Sequence, residues 1–111
     1  MNIDSLKVEC VHMEHERPYT PVLKKKCLKL LNHSDSIIDL RIELIRDTHS
    51  RSHQNEFIAK GHLNFKGKTS VVSAASDHIF KSIDLLVDKM DRVLRRKSRI
   101  EKFKRHLNIF K

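Results

Sequence analysis

The sequence predicts an α+β domain of order β-α-β-β-β-α, with two helices packed on one face of a four-stranded sheet. Three observations carry this expectation. Ile38, Leu40, Ile42 and Leu44 alternate with charged residues, the pattern of a strand with one wet face. Phe57, Ala59, Gly61, Leu63 and Phe65 alternate with Ile58, Lys60, His62 and Asn64 in the same way. Ile79, Phe80, Ile83, Leu86, Val87, Met90 and Leu94 return at three- and four-residue steps, the repeat of a helix with one buried side.

The remaining elements follow in chain order. Leu6 to His12 alternates well enough for a first strand. After a polar stretch, Thr20 is the expected N-cap and Pro21 the first helical residue, where its missing N–H costs no hydrogen bond. That helix, to about Asn32, places Leu23, Cys27, Leu30 and Leu31 on one side. Lys25 and Lys29 point the other way, flanked by Lys24 and Lys26. His33 to Ser36 ends it. The clearest strand follows up to Arg46, and then a loop from Asp47 to Asn55. Phe65-Lys66-Gly67-Lys68 reads as a hairpin turn into a strand over Thr69 to Ala75. Ser76 or Asp77 caps the final helix, which is expected to reach Ser98 and at most His106. A single domain over 1–106 with a short tail, 107–111, is the expected organisation, because 111 residues hold one core and not two.

The formal net charge is +9 and it is unevenly placed. From Arg92 to Lys111 there are nine Lys and Arg residues and one acid, Glu101. Cations favour a helix C-terminus, but that effect covers only the last turn and cannot explain so long a run. Such a concentration points to a polyanionic partner. Arginine exceeds lysine between Arg92 and Arg99, and guanidinium forks grip phosphate and stack on bases, which favours RNA over a membrane surface. Trp, which an interfacial helix favours, is absent. Lys24, Lys25, Lys26 and Lys29 would join the same patch if both helices share a sheet face.

Other chemistries find little support. His12 and His15, and His49 and His53, are spaced like metal ligands, but no Cys, Asp or Glu completes a set, so no metal is expected. No Gly-rich phosphate loop or nucleophile elbow is present, and Asp84, Asp88 and Asp91 fall on an exposed flank with no expected pocket. Neither an enzyme, a cofactor nor a small-molecule substrate is expected. Cys10 and Cys27 form no C-x-x-C pair, and no apolar run suits a signal peptide or a span of roughly 18–20 residues. Two reduced thiols in a cytoplasmic protein are therefore expected.

The stretch Asp77-His78-Ile79-Phe80-Lys81-Ser82-Ile83-Asp84-Leu85-Leu86-Val87-Asp88-Lys89-Met90, with Arg92, Arg95, Arg96 and Lys97 after it, resembles a known family. It is similar to the ribosome hibernation promoting factors, also described as ribosome-associated translation inhibitors or sigma-54 modulation proteins, in their short form. Phe80 stands where that family commonly has Tyr. The resemblance implies a fold like that of double-stranded-RNA-binding domains. It implies a partner, the small ribosomal subunit and its 16S rRNA, and docking in the mRNA channel over the A and P sites. Translation would be repressed in stationary phase or stress without any chemistry, and a second hibernation factor that helps pair ribosomes is left open as a partner. The RNA-contacting residues it implies are Lys25 and Lys29 on the first helix and Lys89, Arg92, Arg95, Arg96, Lys97 and Arg99 on the last. A protein-binding regulator of the sigma-factor type and a generic RNA-binding module are the alternatives.

Overall fold

Alternating strands bury one face only when something apolar covers it, and here two amphipathic helices do so. The computed structural model describes residues 6–11, 13, 18–32, 37–47, 56–65 and 67–109, with side chains for all of these except 31–32 and 97–109. The elements are β1 (Leu6–Val11), α1 (Thr20–Asn32), β2 (Ile37–Asp47), β3 (Glu56–Phe65), β4 (Lys68–Ser76) and α2 (Ile79–Ile109). The expected order is found. The sheet runs β1-β2-β3-β4, with β1 parallel to β2 and the other pairs antiparallel. α1 is the crossover that a parallel pair requires. β3 and β4 form a hairpin whose Phe65 and Lys68 pair, and Gly67 between them takes φ 78°, open to glycine at no steric cost.

The core lies between the sheet and the helices. Leu40, Ile42 and Leu44 of β2 and Ala59, Leu63 and Phe65 of β3 meet Leu23, Cys27 and Leu30 of α1 and Ile79, Ile83, Leu86, Met90 and Leu94 of α2, all buried. α2 comes especially close at Gly61. A Cβ there would lie 2.7 Å from the Met90 sulfur, 3.5 Å from Leu86 and 3.6 Å from Ile42.

Six sequence expectations change. Ile38 does not join the buried face: a register shift between Ile37 and Asp39 turns Ile37 inward opposite Phe65 and leaves Ile38 exposed. A bulge adds one residue, and one residue reverses the side-chain alternation. Phe80 also leaves the core and is exposed; its ring tilts against Tyr19 at 5.7 Å and His78 at 5.9 Å between centroids. At the start of α1 the Tyr19 carbonyl accepts the Leu23 N–H at 2.9 Å, so Tyr19 rather than Thr20 is the cap position. At the start of α2 it is His78 whose carbonyl accepts the Ser82 N–H at 3.0 Å, because β4 continues through Ser76. β2 likewise keeps Asp47, which the sequence assigned to a loop. Finally, α2 runs to Ile109, three residues past the expected limit, since nothing from Ile79 onward is Gly or Pro. His12, His15, His49, His53 and the stretch His33 to Ser36 lie outside the described residues.

Cys27 is a buried thiol of the core. Burial pushes the Cys27 thiol up from 9.0 to about 12, since the apolar core disfavours the thiolate. Its folded value is raised above the unfolded one, so this contribution to stability is complete below pH 9.0 and is lost as pH rises towards about 12. Chemical denaturation across that window is expected to show stability falling by up to about 1.4 kcal/mol per pH unit from this group, a component that disappears in Cys27→Ala. At Gly61 the added methyl of Gly61→Ala is expected to cost about 1–2 kcal/mol by overpacking. In a Met90→Ala background the same change should be close to neutral, which a double-mutant cycle will read.

Candidate nucleic-acid interface

The two faces of the domain differ in charge, and this decides where a polyanion can sit. On the open face of the sheet, β1–β3 bring Lys7, Arg41 and His62 into one row and Glu9, Glu43 and Lys60 into the next. Glu43 engages two of the basic residues there. Glu43 Oε1 lies 2.7 Å from His62 Nε2 and accepts from Arg41 at 3.2 Å. The face is of mixed sign.

The helical face separates its charges by angle. At 100° per residue, Asp84, Asp88, Asp91 and Arg95 fall in a sector of about 60° on one flank of α2, and Arg92 and Arg96 lie about 70° and 110° beyond its centre. The flank carrying the acids faces α1. Between the helices runs an open groove of about 700 Å³. Lys25, Lys26 and Lys29 line it from α1, and Asp84, Asp88, Asp91 and Arg95 from α2, with Val22, Leu30 and Val87 as its apolar part. The sequence placed these acids on a flank without a pocket; they line this one instead, because α1 packs alongside them. Lys26 bonds to Asp84 across the groove at 2.5 Å. Along α2, Asp88 takes Arg92 at 2.9 Å and Asp91 takes Arg95 at 3.0 Å, each four residues apart.

The residues implicated from sequence are thus not gathered into one spot. Lys25, Lys29 and Arg95 share the groove. Arg92 and Arg96 stand exposed on the outer surface of α2. Lys89 lies on the other flank, where its ammonium donates to the Ser73 carbonyl of β4 at 2.9 Å. That contact covers part of an edge strand, a usual role for lysine. Lys97 and Arg99 belong to α2 beyond the residues whose side chains are described. What sequence reasoning missed is the pairing itself. The Asp88–Arg92 and Asp91–Arg95 spacings signal it, whereas Lys26–Asp84 joins residues far apart in the chain.

Among the described residues no group of three or more His, Cys, Asp or Glu is placed to hold a metal ion, and no helix is long and apolar enough to cross a membrane.

A small α+β module with a cationic outer helix surface is the class that this fold and charge distribution define. The sequence profile of the family described as sigma 54 modulation protein / S30EA ribosomal protein matches residues 6–106, and the chain belongs to that family of ribosome-associated proteins. Its fold is similar to that of a ribosomal subunit interface protein from Coxiella burnetii, with TM-score 0.71 and 18% identity over 84% of this chain and 96% of that one. It is also similar to the N-terminal domain of Protein Y from Thermus thermophilus, with TM-score 0.62 and 17% identity over 81% of this chain and 93% of that one. No curated protein matches the chain by sequence.

The Lys26–Asp84 pair is half exposed to exposed, with side chains 39% and 60% accessible. Solvent screening leaves such a pair worth roughly 0.5 kcal/mol or less. A thermal-denaturation cycle of Lys26→Ala, Asp84→Ala and the double variant is expected to return a coupling no larger than that.

Proposed function

We propose that the protein is a ribosome hibernation factor that docks on the small subunit in the mRNA and tRNA channel, against 16S rRNA. It occupies the A and P sites there and represses translation in stationary phase or stress. Family membership over residues 6–106 supports a ribosomal partner and, with it, a cytoplasmic location. The observation that carries the RNA contact is the outer surface of α2, where Arg92 and Arg96 are exposed on a helix fixed to the sheet by its opposite side. Guanidinium groups on a rigid element present forked donors to phosphate without ordering a loop first. Lys25, Lys29 and Arg95 add contacts at the groove, and Lys89, Lys97 and Arg99 of α2 complete the proposed set of RNA-contacting residues. Inhibition of this kind is steric. It needs no catalytic group, cofactor or small-molecule substrate, and a second hibernation factor would act beside it if ribosomes pair.

A protein-binding regulator is the second reading, favoured by the mixed-sign groove between α1 and α2, which suits a peptide carrying both charges. Salt dependence separates the two. Phosphate contacts give a log–log slope of about −0.7 to −0.9 each, whereas a mixed-charge protein contact gives a shallow one.

Cosedimentation of the purified protein with separated small and large subunits is the direct test. Saturable, near-stoichiometric binding to small subunits is expected for the wild type. Arg92→Glu with Arg96→Glu should abolish it while the circular dichroism spectrum and thermal midpoint stay close to wild type, because both side chains are exposed. A double variant that still cosediments normally sinks the assignment of this face.

A further inference from the structure

Three carboxylates stand between the lysines of α1 and the outward arginines of α2, and every one is engaged: Asp84 by Lys26, Asp88 by Arg92 and Asp91 by Arg95. Ion pairs this exposed contribute little to stability. A row of them placed in the middle of a cationic surface calls for another account.

We propose that Asp88 and Asp91 are specificity-determining residues that restrain binding to generic polyanions. The inference deepens the RNA-binding reading above and rests on it. The physical case is a comparison of the surface with and without the acids. Were these positions neutral, Lys25 and Lys29 would join Arg95, Arg92 and Arg96 in one continuous positive belt across both helices. Any phosphodiester backbone would be drawn to such a belt, because that attraction is independent of sequence and nearly so of shape. With the carboxylates present, a backbone crossing from α1 to α2 passes over negative charge. Only an RNA surface whose phosphates follow the two walls and avoid the groove escapes that repulsion. Discrimination here comes from penalising the wrong partner and not from a better fit to the right one.

The ion pairs act in the same direction. Asp88 and Asp91 each hold an arginine one turn further along the helix, so a phosphate must displace a carboxylate to reach that guanidinium. An isolated phosphate gains little by the exchange. A site offering two well-placed oxygens to a planar fork gains more. The arginines therefore remain available to an RNA that meets them with the right geometry and are withheld from one that does not.

The test uses Asp88→Asn with Asp91→Asn, nearly isosteric changes that remove the charges, and reads binding to a blunt RNA duplex of about 20 base pairs, a little more than one double-stranded-RNA-binding domain spans. The double variant is expected to bind the duplex several-fold more tightly than wild type. Its salt slope should steepen by about 0.7 or more for each guanidinium released. A charge-matched control, Glu9→Gln with Asp77→Asn, alters exposed acids that do not line the groove and should leave affinity and slope much closer to wild type. The proposal is overturned if the groove variant leaves duplex binding unchanged, or if the control raises it equally, which would make net charge the whole effect. Small-subunit cosedimentation is run on the same proteins. Wild type that ignores small subunits sinks the ribosomal reading, whereas the duplex comparison judges the acid row by itself.

Discussion

The depth at which α2 lies on β3 is the constraint on which the rest of the molecule depends. It is set at Gly61, where the absence of a Cβ lets the Met90 sulfur, Leu86 and Ile42 close over the backbone. Ile83, Leu86 and Met90 are fully buried on the side of α2 that meets the sheet. A helix is a cylinder, so fixing one side against the sheet fixes the direction of the other. The exposure of Arg92 and Arg96, and the turn of Asp84, Asp88 and Asp91 towards α1, follow from that single approach.

The first turn of α2 is held as firmly as its middle. The buried Ser82 hydroxyl donates to the Phe57 carbonyl of β3 at 2.7 Å and lies 2.7 Å from the Ser76 hydroxyl of β4. Two strands and the helix start are thereby joined through groups that would be costly to bury unpaired. Across the same end, Tyr19 and Phe80 bring the starts of α1 and α2 together. Parallel helices that begin side by side leave a groove along their length. The charges in it are therefore a consequence of how the helices are anchored.

Electrostatics then divides the surface into regions with different uses. On the open sheet face Glu43 engages Arg41 and His62. The groove alternates sign, and the outer side of α2 leaves arginines facing water. There Arg92 keeps Asp88 beside it at 2.9 Å, while Arg96 lies beyond the acid row.

Much of this was legible in the residues. Period-two runs over Leu40–Leu44 and Ala59–Phe65 and the three-and-four repeat from Ile79 to Leu94 determined the strands, the helices and the buried side of each, because burial of a face leaves its period in the sequence. The basic run after Arg92 pointed to a polyanionic partner, since charge acts wherever the chain places it. The bulge that exposes Ile38 was not legible, because alternation holds equally in either register and only the pairing with Phe65 selects one. Nor was the place of Phe80, whose spacing fits the core stripe but whose ring goes to Tyr19. Above all, the sequence showed lysines on one helix and acids on another without showing that they meet. Lys26 and Asp84 are 58 positions apart in the numbering, and only the packing of α1 beside α2 makes them neighbours. A chain's own periodicity fixes which side of each element is buried, whereas the encounter of two exposed flanks depends on a distance that exists only in the folded molecule.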